Sequence, residues 1–158
     1  MYRTLLKLGF LLSLLTGCAK EPTGPGTSIP LRYPVLLGND RQLLVKDNVE
    51  SLTKASVSLG PNFVEFTILD SNGALYSIPR VTEFDRKSAF FDMGTSQFRV
   101  FLELKAQGKP SLEKAKTLVK EMAFSRGEVQ DTKSASHGID GAGSFAALIE
   151  VTRESWRW

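Results

Sequence analysis

The sequence predicts an α+β domain: a mostly antiparallel sheet built from hairpins, with one short and one longer helix packed on it. Two observations predict it. Strand-like stretches follow one another in pairs across tight-turn residues, in the order ββα, ββ, ββ, α, β, and strict strand–helix alternation is missing, which argues against a parallel sheet. The chain has 158 residues, 42% hydrophobic and 23% charged. That composition fits one domain with a tail and excludes wholesale disorder.

Residues Lys20 to Pro30 include Pro22, Gly24, Pro25, Gly26 and Pro30 with almost nothing apolar, so 18–30 is expected to be a flexible tether and 31–158 the globular domain. Two apolar runs, Tyr33 to Leu37 and Arg41 to Val45, flank the turn cluster Gly38-Asn39-Asp40 and predict a first hairpin. Pro34 near the start of the first run points to a sheet edge, because proline lacks the ladder donor. Asp47 with Glu50 forms a capping-box-like start, and Val49, Leu52, Ser56 and Leu59 share a helical face, which predicts a short helix over 48–59.

Val64, Phe66 and Ile68 alternate with Phe63, Glu65 and Thr67, the period of a half-buried strand. Asp70-Ser71-Asn72-Gly73 supplies positive-φ turn chemistry and Ala74 to Ile78 returns. A third hairpin is predicted from Ser88–Asp92 and Gln97–Lys105, with Phe101 the one apolar residue on an otherwise polar face. Ser111 caps the best helix, whose stripe of Leu112, Ala115, Leu118, Val119 and Met122 runs to Phe124. The Gly-, Ser- and Asp-rich stretch 127–144 reads as a loop. Phe145, Ala147, Ile149 and Val151 read as a last strand.

Catalytic groupings are sparse. His137 with Ser134, Ser136 and Asp140 is the one nucleophile–base set, and residues so close on a glycine-rich loop do not converge as a triad must. Gly138 to Gly143 has the wrong spacing and context for a phosphate loop. Glu83 with Asp85, or Asp92 with Glu103, would serve glycan hydrolysis only if they converged, and acidic residues at strand ends are ordinarily solvated. One Cys and one His cannot build an ordinary zinc site. No enzyme activity, metal or cofactor is expected.

Lys114, Lys116 and Lys120 alternate with Glu113 and Glu121, as on a solvated helix face. Trp156 and Trp158 with Arg153 and Arg157 carry the residue types enriched in binding hot spots, although terminal Trp residues also dock into their own core. Phe63 and Phe101, apolar on polar strand faces, join them as candidate partner-binding residues.

Arg3 and Lys7 precede an uncharged apolar run, Leu8 to Leu15, and then Thr16-Gly17-Cys18. This order is that of a secretory signal peptide, and the run is about half of the ~20 residues a spanning helix needs. Leu15-Thr16-Gly17-Cys18 resembles the lipobox of bacterial lipoproteins. The resemblance implies cleavage after residue 17, acyl chains on Cys18 and durable attachment to the membrane through them. With Ala19 in place of Asp as second mature residue, it implies the outer membrane, facing the periplasm. Loss of Arg3 and Lys7 leaves 18 basic and 17 acidic residues, down from 20 and 17, and no basic block, so a nucleic-acid partner is not expected.

The stretch from Asn48 through Asp70-Ser71-Asn72-Gly73-Ala74-Leu75-Tyr76 is similar to small bacterial proteins suspected of toxin immunity, which follow a short helix with a D-S-x-G-x-x-Y hairpin. The match covers about a fifth of the chain. It implies an immunity or inhibitor protein that blocks a toxin or lytic enzyme by direct contact. The alternative expectation is a structural accessory lipoprotein of an envelope or secretion machine.

Overall fold

Side chains that alternate in burial build the sheet, and side chains spaced three and four apart build the helices laid on it. The computed structural model describes residues 22–56, 60–84, 97–124 and 132–155. Their strands are β1 (Gly26–Thr27), β2 (Val35–Gly38), β3 (Leu43–Lys46), β4 (Lys54–Ser56), β5 (Thr67–Asp70), β6 (Leu75–Phe84) and β7 (Gln97–Gly108). The helices are α1 (Val49–Thr53), α2 (Leu112–Phe124), α3 (Thr132–Gly141) and α4 (Phe145–Ser155). The sheet order is β1-β7-β6-β5-β2-β3, with β4 sharing the β1 side of β7. Every pairing is antiparallel except the two-residue β1–β7 match. The fold is α+β.

Two cores lie on opposite faces. On the inner face Val35 and Leu37 of β2, Ile68 of β5, Ile78 of β6 and Phe98, Val100, Leu102 and Leu104 of β7 close around Leu52 of α1, Phe63 and Phe66. On the outer face Leu36 and Leu69 meet Ala115 and Val119 of α2, Ile139 of α3 and Leu148 and Ile149 of α4. Leu36 and Leu69 are Cα partners in register, so one level of the sheet seats the helix layer. Burying each such leucine contributes about 1.5–3 kcal/mol.

The first hairpin is present, with β2 and β3 paired from Val35↔Lys46 to Gly38↔Leu43. Pro34 does not mark an edge, because β2 also pairs with β5 and lies inside the sheet. Pro34 precedes the first ladder residue, so its missing N–H breaks no bond there; the Tyr33–Pro34 peptide is cis. The predicted helix over 48–59 ends at Thr53, and the chain turns into β4. Asn48, not Asp47, is its cap: Asn48 Oδ1 accepts from Ser51 N at 2.8 Å and Ser51 Oγ faces Asn48 N at 3.3 Å.

The strand predicted from Phe63 begins only at Thr67. Residues Gly60–Glu65 form a 3₁₀ turn; Phe63 within it and Phe66 just after it, three apart, are both buried in the core with ring centroids 6.1 Å apart. The predicted Ser88–Asp92 strand and its turn lie outside the described residues.

Two larger corrections concern the C-terminal third. The predicted loop over 127–144 contains α3, which buries Ala135 and Ile139. The predicted last strand is α4, since Phe145, Leu148, Ile149 and Thr152 fall at i, i+3, i+4 and i+7, a better description of the apolar residues than alternation that leaves Leu148 out. Ser144 caps it, its Oγ accepting from Ala147 N at 3.1 Å. Gly138 lets α3 approach α4, because a Cβ there would stand 2.8 Å from Val151 Cγ1. The domain also starts before Leu31: β1 pairs with β7, Ser28 N donates to Leu102 O at 3.0 Å, and Ile29 and Leu31 pack on the inner core.

Candidate interaction surface

The helix layer covers the outer face of β5, β2 and β3, and the same face of β6 and β7 continues beyond it. Along β7 the residues Phe98, Val100, Leu102 and Leu104 are buried, while Arg99, Glu103 and Lys105 are exposed and Phe101 is half-buried. Register places Thr82 opposite Phe101, Phe84 opposite Arg99, Arg80 opposite Glu103 and Ser77 opposite Lys105. Directly opposed residues share a face, so these residues form one surface. On the other side of β7, Lys54 of β4 stands opposite Arg99. Arg99 Nη2 lies 3.2 Å from Glu50 Oε1, and Gln107 Nε2 donates to Ser77 Oγ at 2.7 Å. Half-buried Phe84, Thr82 and Phe101 form the centre, with charges around them.

Of the candidate partner-binding residues, Phe101 lies on this surface, its ring 3.7 Å from where a Cβ on Gly26 would be. Phe63 does not; at 1% exposure it belongs to the core. Its strand-like alternation made it look like an outward apolar residue, and the 3₁₀ turn directs it inward. Arg153 sits on α4, away from this surface, bound to Asp47 and with Nε 3.1 Å from Glu150 Oε2. The hydrogen bond it donates to Asp47 raises its already high pKa. Cys18, Trp156, Arg157 and Trp158 lie outside the described residues.

The D-S-x-G-x-x-Y segment builds structure rather than surface. Asp70, 2% exposed, accepts from Asn72 N at 3.0 Å and Ala74 N at 2.8 Å. Ser71 ties the turn to the N-terminal segment, its Oγ donating toward Arg32 O at 3.0 Å. Gly73 has φ +86°, and a Cβ there would meet the Phe145 ring at 2.4 Å. Tyr76 is buried in the inner core, its phenol pKa raised by burial and by Asp70.

His137 is exposed on α3, and the Asp140 carboxylate takes Lys120 Nζ at 2.5 Å. Glu83 opposes Val100 and Glu103 opposes Arg80; their proposed partners Asp85 and Asp92 lie outside the described residues, so neither carboxylate pair is placed. Lys116 is not on a solvated face: at 7% exposure its Nζ bonds Glu113 Oε1 and Asp140 O, both at 2.9 Å. With Lys120 it clamps the C-terminal end of α3, where cations complement free carbonyls. Among the described residues no group of three His, Cys, Asp or Glu is placed to hold a metal. A small pocket between α2 and the sheet, lined by Thr67 and apolar side chains such as Leu36, Leu118 and Met122, presents no charge.

Sequence reasoning missed Lys54, Arg80, Thr82, Phe84, Arg99 and Lys105 as members of one surface. The signal was Phe101 alone among polar neighbours. The partners of β7 come from positions 54 and 80–84, and periodicity within one segment does not reveal pairing between segments. No protein-family model matches this chain, and neither a curated protein nor a solved structure matches it at a significant level.

Proposed function

We propose that this chain is a lipid-anchored periplasmic binding protein of the outer membrane. Its role is that of an immunity or inhibitor protein, which blocks a toxin or lytic enzyme by direct contact through the outer face of β6 and β7. One observation carries the binding role: the described helices cover one half of the outer sheet face, and the other half carries Phe84, Thr82 and Phe101 within a ring of exposed charges. An apolar centre with a polar rim is the usual anatomy of a protein–protein interface. The order of basic start, apolar run, small residues and Cys18 supports the anchor.

The test is co-purification from gently solubilised envelopes of the native host, using an antibody to the folded domain, followed by an activity assay of whatever associates. The expected result is one stoichiometric partner whose toxic or lytic activity the purified protein neutralises. A set of envelope-machine components with no activity to neutralise would overturn the inhibitor role in favour of a structural accessory. Cys18→Ser is expected to abolish membrane attachment, and unchanged fractionation of that variant would overturn the anchor.

A further inference from the structure

We infer that the partner of the β6–β7 outer face presents an acidic protein surface; this rests on the protein-binding role proposed above. The face carries four cations, Lys54, Arg80, Arg99 and Lys105, all exposed. Among the described residues its anions are Glu103, opposite Arg80, and Glu50, which meets Arg99 from α1. The excess is therefore positive, on a chain whose mature net charge is close to zero. Lys54 and Arg99 stand directly opposite each other on neighbouring strands. Like charges in that relation destabilise a sheet, and Glu50 lies 3.2 Å from Arg99.

Arg99 and Lys105 are six residues apart on β7, about 20 Å at strand rise, so cations stand at both ends of the Thr82–Phe101 pair, with Phe84 level with Arg99. A partner with carboxylates at both ends and an apolar patch between would answer each feature. The interleaved Glu103 breaks the single sign that a lipid headgroup layer would favour, and fits a patterned protein surface better.

The experiment places a photo-crosslinking amino acid at Thr82 of the full chain and irradiates envelopes of the native host. The expected product is a cross-link to one protein. Its yield should fall about tenfold between about 0.1 M and 1 M salt, which shortens the screening length from about 10 Å to 3 Å. Arg80→Glu with Lys105→Glu should lower it comparably, and Glu103→Gln should leave it equal or higher. The salt series uses charges native to the chain and does not depend on the reversal variant folding. A protein cross-link indifferent to salt and to charge reversal would overturn the acidic partner and leave the binding role intact. Cross-links only to phospholipid, or only to the chain's own residues 85–96 or 156–158, or to nothing, would overturn both.

Discussion

Strands β2 and β7 belong to one sheet and are buried in different ways. All four positions of β2, Val35 to Gly38, are buried, because the inner core lies on one side and the helix layer on the other. On β7 burial alternates from Phe98 to Lys105, because only the inner side is covered by described residues. A strand covered twice reads as a continuous apolar run, and a strand covered once reads as alternation. The sheet thus has a structural half and a half whose outer side chains contribute little to the core. Substitutions on the outer side of the second half are expected to cost little stability, which would leave that face free to vary for the binding role proposed above.

The largest separation between the halves is expected from paired truncations. Leu36→Ala, under α2 and α4, should lower unfolding stability by about 2–5 kcal/mol in urea melts. Thr82→Ala, on the bare face, should change it by less than about 0.5 kcal/mol. Equal losses would mean that the outer face of β6 and β7 is packed as tightly as that of β2. Gly73→Ala probes the seam where the turn meets α4. A positive φ and the Phe145 ring both oppose a methyl group there, so a loss of about 1–3 kcal/mol is expected in the same measurement. Phe145→Ala in the same chain should recover part of it if the ring contact dominates.

The smallest effect concerns the rim of the inner core. Burial lowers the Lys46 pKa from 10.5 and raises the Tyr33 pKa from 10.0, and the Tyr33 hydroxyl is buried with no hydrogen-bond partner among the described residues. Lys46 is charged in both states at neutral pH, so its burial penalty is then complete. As pH rises toward 10.5 the folded state sheds the proton first and the penalty fades. For the tyrosine, the unfolded chain ionises first above pH 10, and stability falls. The two contributions oppose each other in the same window. Lys46→Met should therefore raise stability at pH 7 by under about 1 kcal/mol and steepen the loss above pH 10, as read by thermal melts across pH. An unchanged alkaline slope would place Lys46 in solvent.

The hairpin strands and α2 were readable because each announces itself within a single segment: alternation in Gln97–Lys105, turn chemistry at 70–73, a capped stripe from Ser111. The C-terminal third was not. Among the described side chains helix α3 buries only Ala135 and Ile139, beside the adjacent Ala142, and its Gly138 and Gly141 imitate a loop. In α4 the residues Phe145, Ala147, Ile149 and Val151 satisfy strand alternation, while Leu148 and Thr152 complete the helical face. Phe63 failed for a similar reason, since three-residue and two-residue spacing are hard to separate over four positions. The candidate surface was only partly readable, because Phe101 is visible as an anomaly in its own strand and its neighbours are supplied by register.

Strand β1 is only two residues long, yet it would set how far the folded body could stand from the lipid anchor proposed at Cys18. Gly26 is fixed beside Phe101, and Cys18 lies eight residues earlier. Eight residues span at most about 28 Å when fully extended. With lipid on Cys18, as proposed, the Phe101 face is confined to a layer no deeper than that leash plus the domain's own width. A target diffusing freely through the compartment would rarely enter so thin a layer. One that works on the membrane or inserts into it would meet the face at high effective concentration. The short leash would therefore select partners by where they act as well as by what they present.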